Sequence, residues 1–202
     1  MRIAVLKTLV FTAALIPVVR LIVGFFTDNL TANPFDYITD QTGWFALMCL
    51  VASLSVTPLR RVTKWHAAIR FRRMLGLFAF FYATLHLLTW VVLDQFFDYH
   101  AMIKDVFKRP FITVGMTTFV LLLPLALTST TGMIRRLGGK RWNRLHRLAY
   151  VAGIAAVTHF WWLVKSDVRE PQRWALVLTV LLGLRAWWAF QARSPVRTGT
   201  RP

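Results

Sequence analysis

Two histidines lie inside long apolar stretches of this chain, where an imidazole without a partner would be costly. His86 comes 13 residues after Arg73, and His159 comes 12 residues after Arg147. At about 1.5 Å per residue, both imidazoles therefore lie ~20 Å from the basic start of their helices. Two histidines at one depth on parallel helices can bind a single group between them, and imidazole suits zinc, copper, iron and nickel.

The residues 3, 7 and 10 positions before each histidine are all small. At about 100° per residue they share the histidine's helix face. Such residues allow close helix contact, and they equally leave room for a flat macrocycle. The two columns are Ala83, Ala79 and Gly76 below His86, and Ala156, Ala152 and Ala149 below His159. The stretches 73–86 and 146–159 also have weak sequence similarity, which suggests that the two helices have the same function.

The available ligands favour iron in a porphyrin. A tetrahedral zinc site needs further ligands, but no acid falls within an apolar stretch and Cys49 is the single cysteine. Haem iron needs only axial ligands, and histidine is a common one. No C-x-x-C-H motif is present, which excludes covalent c-type attachment. We therefore predict haem b with His86 and His159 as axial ligands; alternatively, each histidine only bonds a neighbouring helix.

A third histidine, His146, lies at the basic end of its stretch, ~20 Å from His159 and ~140° around the helix. Arg73 stands at the same depth on the other histidine-bearing helix. His146 could bind a second haem, flank a flavin or quinone, or be an interfacial residue. Arg72 and Arg73 could hold a flavin phosphate, or they could serve only to orient the chain in the membrane.

The elements that carry these residues are predicted to be membrane spans. The chain has 202 residues, is 56% apolar and has a mean hydropathy of +0.51, which exceeds ordinary soluble composition. We predict an all-α integral membrane protein, one domain over 1–202, with a polar cytoplasmic tail over 192–202. The first span lacks a convincing cleavage site and is expected to be retained. The six predicted spans are 8–26, 43–58, 73–93, 111–128, 145–164 and 174–191.

The charges predict the orientation. Of the stretches between spans, 59–72 and 129–144 carry many arginines and lysines and no acid, whereas all eight acids fall in the alternate loops. The positive-inside rule then places both termini and both basic loops in the cytoplasm. A net charge of +17 is thus explained by membrane insertion, with lipid and not nucleic acid as the partner.

Four segments resemble a known family. They are "RRMLGLFAFFYATLH" (72–86), "KRPFITVG" (108–115), "TSTTGMIRRLGGKRWNRLHRLAY" (128–150) and "THFWWLVK" (158–165). These are similar to the haem-binding membrane subunit of the bacterial protein-methionine-sulfoxide reductase system, in the ferric-reductase-like transmembrane superfamily. The likeness covers roughly 57–165, and the first and last spans match mainly in hydropathy.

The resemblance implies an inner-membrane protein with haem b and FMN. It implies electron flow from the quinone pool to a periplasmic molybdopterin catalytic subunit that reduces methionine sulfoxide in oxidised envelope proteins. The family's haem-associated histidines correspond to His86, His146 and His159. The wider superfamily often has a second histidine on span 3 to pair with His146, and here Arg73 stands at that depth.

The chain itself shows no nucleophile, general acid–base group or Gly-rich phosphate loop, so we predict an electron-transfer subunit that is not itself catalytic. One alternative is another cytochrome b or ferric reductase that receives electrons from a quinol or flavin. The alternative from a different class is a transporter or assembly protein whose histidines bind a metal or substrate.

Overall fold

The computed structural model describes residues 2–192, and this part of the chain contains helices and no strand. The prediction of an all-α protein is confirmed for these residues. Of the predicted polar tail, residues 193–202 lie outside the described part. A short 3₁₀ turn (His66–Ala68) precedes α3, and a π-helical turn (Trp90–Asp94) extends it. The helices are α1 (Arg2–Phe26), α2 (Pro34–Thr63), α3 (Ile69–Thr89), α4 (Tyr99–Lys108), α5 (Pro110–Leu127), α6 (Thr131–Leu145), α7 (Leu148–Leu163) and α8 (Arg169–Gln191).

Each predicted span overlaps a helix, but the predicted span 145–164 was wrong at its start, because His146 and Arg147 form a turn and α7 begins only at Leu148. Five helical segments are long and apolar enough to cross a bilayer, and α7 is apolar but shorter. Two further helices, α4 and α6, lie between the predicted spans, where the sequence predicts loops. Both are too short or too polar to cross, and α6 is interrupted at Gly138, whose φ of 71° is left-handed. The five long segments are Ile3–Phe26, Pro34–Thr63, His66–Asp94, Pro110–Leu127 and Arg169–Gln191.

The second predicted span, 43–58, was wrong at both ends. The helix begins at Pro34, capped by the Asn33 side chain, and it continues past Pro58 to Thr63. Proline lacks the N–H that would bond the carbonyl four residues earlier, so Pro58 leaves the Leu54 carbonyl without its helical donor. Arg185 of α8 takes this place, with Nη2 donating to the Leu54 carbonyl at 2.5 Å. A donor from another helix thus allows the proline inside α2.

The same arginine joins three helices. Its Nη1 donates to the Tyr150 hydroxyl of α7 at 2.8 Å, and the guanidinium lies 5.0 Å from the Tyr150 ring centre. Leu54 is almost completely buried and packs with Val157 and Leu178 in a core cluster shared by α2, α7 and α8. An arginine within an apolar helix generally has a polar partner, and for Arg185 only the fold identifies the partners as Leu54 and Tyr150.

The main core lies between two antiparallel helix pairs, α2 with α3 and α5 with α7. Tyr82 has no exposed surface and donates a 2.6 Å hydrogen bond to the Ala14 carbonyl, which fixes α1 against this core. Ala79 and Ala152, from the two predicted small-residue columns, have no exposed surface in the same cluster. At their depth these residues therefore serve close helix contact.

Candidate functional site

The structure brings His86 of α3 and His159 of α7 together. Their ring centres lie 6.0 Å apart, and the ring planes meet at 74°. Both side chains are partly buried, in the half of the bundle away from the basic loops. The matched depth predicted from the sequence therefore corresponds to a real juxtaposition of two imidazoles.

Each imidazole is anchored through the same nitrogen to a main-chain carbonyl. His86 Nδ1 lies 3.0 Å from the Thr39 carbonyl oxygen, and His159 Nδ1 lies 2.6 Å from the Phe111 carbonyl oxygen. Because a carbonyl oxygen only accepts, each Nδ1 carries the hydrogen and donates it. Nε2 is then the nitrogen that keeps a lone pair, as in metal-binding histidines whose other nitrogen is bonded to the protein.

A glycine on the facing helix lies against each ring. A methyl group built at Gly43 of α2 would lie 3.1 Å from Nδ1 and Cε1 of His86. One built at Gly115 of α5 would lie 2.8 Å from the same two atoms of His159. The rings occupy the space that a side chain would fill at either position.

The two halves of the site repeat one arrangement. In each half a helix supplies a carbonyl and, four residues later, a glycine, and an antiparallel helix supplies the histidine. The carbonyl and histidine are separated by 47 residues in one half and 48 in the other. The likeness of the two histidine helices is visible in the sequence, whereas the role of the facing helices is not. The near-equal spacing from Gly43 to His86 and from Gly115 to His159 is the one sequence signal for them.

The residues fit a group held by two axial ligands. Two metal–nitrogen bonds of about 2 Å, with about 1 Å from each Nε2 to its ring centre, would separate the ring centres by about 6 Å. The observed separation is 6.0 Å. Within residues 2–192 no group of three or more His, Cys, Asp and Glu side chains could hold a free metal ion. This donor set suits iron in a porphyrin, which supplies the other ligands itself.

His146 lies apart from this pair, at the C-terminal end of α6. Its ring stacks on Trp142 with centres 3.8 Å apart, and its Nε2 lies 3.2 Å from the Thr128 hydroxyl oxygen. Trp142 in turn donates to the Thr128 carbonyl at 2.9 Å. His146 therefore belongs to a small polar cluster that ties α6 to the end of α5.

The two predicted arginines differ in their surroundings. Arg72 is partly buried, and its carbonyl accepts a 2.9 Å hydrogen bond from Ser53. Arg73 is exposed. The two arginines therefore differ in burial, and Arg72 is the one packed against α2 through Ser53.

Comparison with known proteins agrees with this architecture. Residues 42–157 match the family described as the ferric reductase like transmembrane component. This segment begins just before Gly43 and ends just before His159. No solved structure matches the chain.

Similar proteins cover almost the whole chain. A heme-binding subunit of protein-methionine-sulfoxide reductase, MsrQ, from Herminiimonas arsenicoxydans is 51% identical over 96% of this chain and 89% of its own. The proteins of that name from Ralstonia nicotianae and Bordetella pertussis are 51% and 48% identical, over 90% and 91% of this chain and 85% and 90% of their own. The chain belongs to the ferric-reductase-like transmembrane family and, within it, to the group of heme-binding subunits of protein-methionine-sulfoxide reductase.

Proposed function

We propose that this chain is a haem b electron-transfer subunit whose axial ligands are His86 and His159. The observation that carries the proposal is the pair of imidazoles 6.0 Å apart, each donating through Nδ1 to a helix carbonyl. Bound haem would supply a one-electron couple between ferric and ferrous iron. The heme-binding relatives support the choice of group.

The chain's own residues orient and tune the ligands. The carbonyls of Thr39 and Phe111 fix the tautomer and rotation of each ring, and by accepting a hydrogen bond they raise the basicity of the ligating nitrogen. The helices around the rings keep water away and lower the local dielectric constant, both of which affect a reduction potential.

The proposed setting is the bacterial inner membrane, crossed by α1, α2, α3, α5, α7 and α8 with both termini in the cytoplasm. Positive charge in 59–72 and 129–144, with every acid in the alternate loops, supports this orientation. His86 and His159 then lie in the periplasmic half of the bundle. The chain would be a single membrane domain whose polar tail is cytoplasmic.

The proposed route runs from the quinone pool, with FMN as a carrier, to a periplasmic molybdopterin subunit that reduces methionine sulfoxide in proteins. The names of the relatives support a reductase partner. His146, Arg72 and Arg73 lie at the cytoplasmic end, where a flavin or quinone would arrive. The remaining alternatives are another cytochrome b type carrier and a transporter, and purified protein without a Soret band would favour the transporter.

The proposal predicts that the purified protein contains haem b held without a covalent bond. The chain has no C-x-x-C-H motif, and the only ligands offered are imidazoles. Pyridine-haemochrome spectra should show haem b, and acid–acetone should extract all of it. Haem that remains with the polypeptide after extraction would contradict this assignment.

Replacement of His146 by alanine should leave most of the His86–His159 haem signal in place. His146 lies in the turn between α6 and α7, at the opposite end of α7 from His159, and its ring contacts Trp142 and Thr128. We expect partial haem loss or a shifted potential, measured by haem content and redox titration. Complete loss, equal to that of a His159→Ala variant, would place His146 in the same cofactor unit.

A further inference from the structure

The site has two glycines in equivalent places, one for each histidine. Gly43 is four residues after Thr39 on α2, and Gly115 is four residues after Phe111 on α5. Thr39 and Phe111 are the residues whose carbonyls accept from the histidines. We propose that Gly43 and Gly115 are positioning residues, whose missing side chains open these two helix carbonyls to the ligand histidines. This inference rests on the proposed function.

Helix geometry explains why glycine is needed at this spacing. In an α-helix the carbonyl of residue i accepts from the N–H of residue i+4, and its second lone pair can accept a further donor. The side chain of residue i+4 stands beside that carbonyl. At both positions glycine removes this side chain, and the imidazole ring lies in its place.

The two glycines are not equally crowded. A methyl group at Gly115 would lie 2.8 Å from His159, which is too close for any real contact, so the ring would have to move. At Gly43 the distance is 3.1 Å, and His86 would need to shift by only a few tenths of an ångström. Alanine at Gly115 should therefore disturb its histidine more than alanine at Gly43.

Movement of either ring weakens its Nδ1 hydrogen bond to Thr39 or Phe111 and shifts the position of Nε2. Weakening that bond lowers the basicity of the ligand, which favours ferrous iron over ferric iron. Loss of such outer partners typically costs about 10-fold to 100-fold in metal affinity. The substitutions should thus loosen haem and raise its midpoint potential together.

The test compares Gly43→Ala and Gly115→Ala with two control glycines. A methyl group at Gly132 on α6 or at Gly183 on α8 would meet nothing within 4 Å. Because alanine is the better helix former, none of the four changes weakens a helix by itself. The measurements are haem per polypeptide, the electron paramagnetic resonance of ferric low-spin haem, and the midpoint potential.

We expect Gly115→Ala to bind haem at least about 10-fold more weakly. Its electron paramagnetic resonance signal should shift, and the midpoint potential of its haem should rise. Gly43→Ala should change in the same direction by less, and Gly132→Ala and Gly183→Ala should match the unmodified chain. If Gly115→Ala does not accumulate in the membrane, Gly43→Ala decides the result.

The outcomes separate this inference from the proposed function. Unchanged spectra and potential in the glycine variants, together with haem loss in His86→Ala and His159→Ala, would overturn the positioning role alone. Haem retained in both histidine variants would overturn the proposed function as well. Equal changes in the test and control glycines would show a general effect of packing and also overturn the inference.

Discussion

Replacement of either His86 or His159 by alanine should remove the low-spin haem signal completely. In the proposed site each imidazole supplies one of two axial ligands, and the other ring, 6.0 Å away, cannot replace it. Alanine also breaks the Nδ1 hydrogen bond to Thr39 or Phe111 and leaves a space where the ring was. Optical and electron paramagnetic resonance spectra of purified protein would measure the loss, and electron delivery to the partner should stop with it.

Membrane insertion should be unaffected, because alanine in mid-span is at least as well tolerated as histidine. His100→Ala is a matched control, since this histidine is exposed at the start of α4. Normal haem spectra in both the His86 and the His159 variant, with normal insertion, would show that the pair does not ligate iron.

An all-or-none contrast is expected in the labelling of single cysteines by a membrane-impermeant thiol reagent. In a Cys49→Ala background, cysteines at Ala32 and Ser166 should react in intact spheroplasts, whereas those at His66 and Lys140 should not. All four positions are exposed in the structure, so only the side of the membrane separates them. The physical reason is the acid-free basic composition around His66 and Lys140.

Permeabilised membranes provide the control, because all four cysteines should then react. Labelling of the His66 or Lys140 variant in intact spheroplasts would overturn the orientation and place the two histidines near the cytoplasm instead. The native Cys49 is buried within the bundle and should contribute little to the signal even when it is retained.

The sequence predicted those parts of the site that depend on an unusual residue type in an apolar stretch. Histidine is rare in apolar stretches, and the depth of His86 and His159 follows from helix rise alone. Their acceptors on Thr39 and Phe111 are main-chain carbonyls, which every residue has. Nothing in the identity of these residues marks them, so only the fold could locate them.

Other features depended on contacts between distant residues. Proline generally ends a helix, and the sequence therefore predicts that the second span ends at Pro58. The helix continues because Arg185, which is distant in sequence, donates the missing hydrogen bond to the Leu54 carbonyl. The polar helix α6 and the short helix α4 lacked the long apolar run that marked the spans. At Pro58 a tertiary contact overrides the local pattern, and at α4 and α6 the local pattern carries too little apolar signal.

The length of α7 has a consequence for the surrounding lipid. Its 16 residues correspond to about 24 Å, whereas the hydrocarbon layer is about 30 Å thick. In the proposed arrangement, in which α7 crosses the membrane and His159 binds iron, a span this short thins the bilayer beside it or draws headgroups and water inward. His159 lies four residues from Leu163, where α7 ends, so the hydrophobic mismatch would be concentrated next to this ligand. In thicker bilayers, the lipid acyl-chain length becomes a variable that acts on the polarity around the iron.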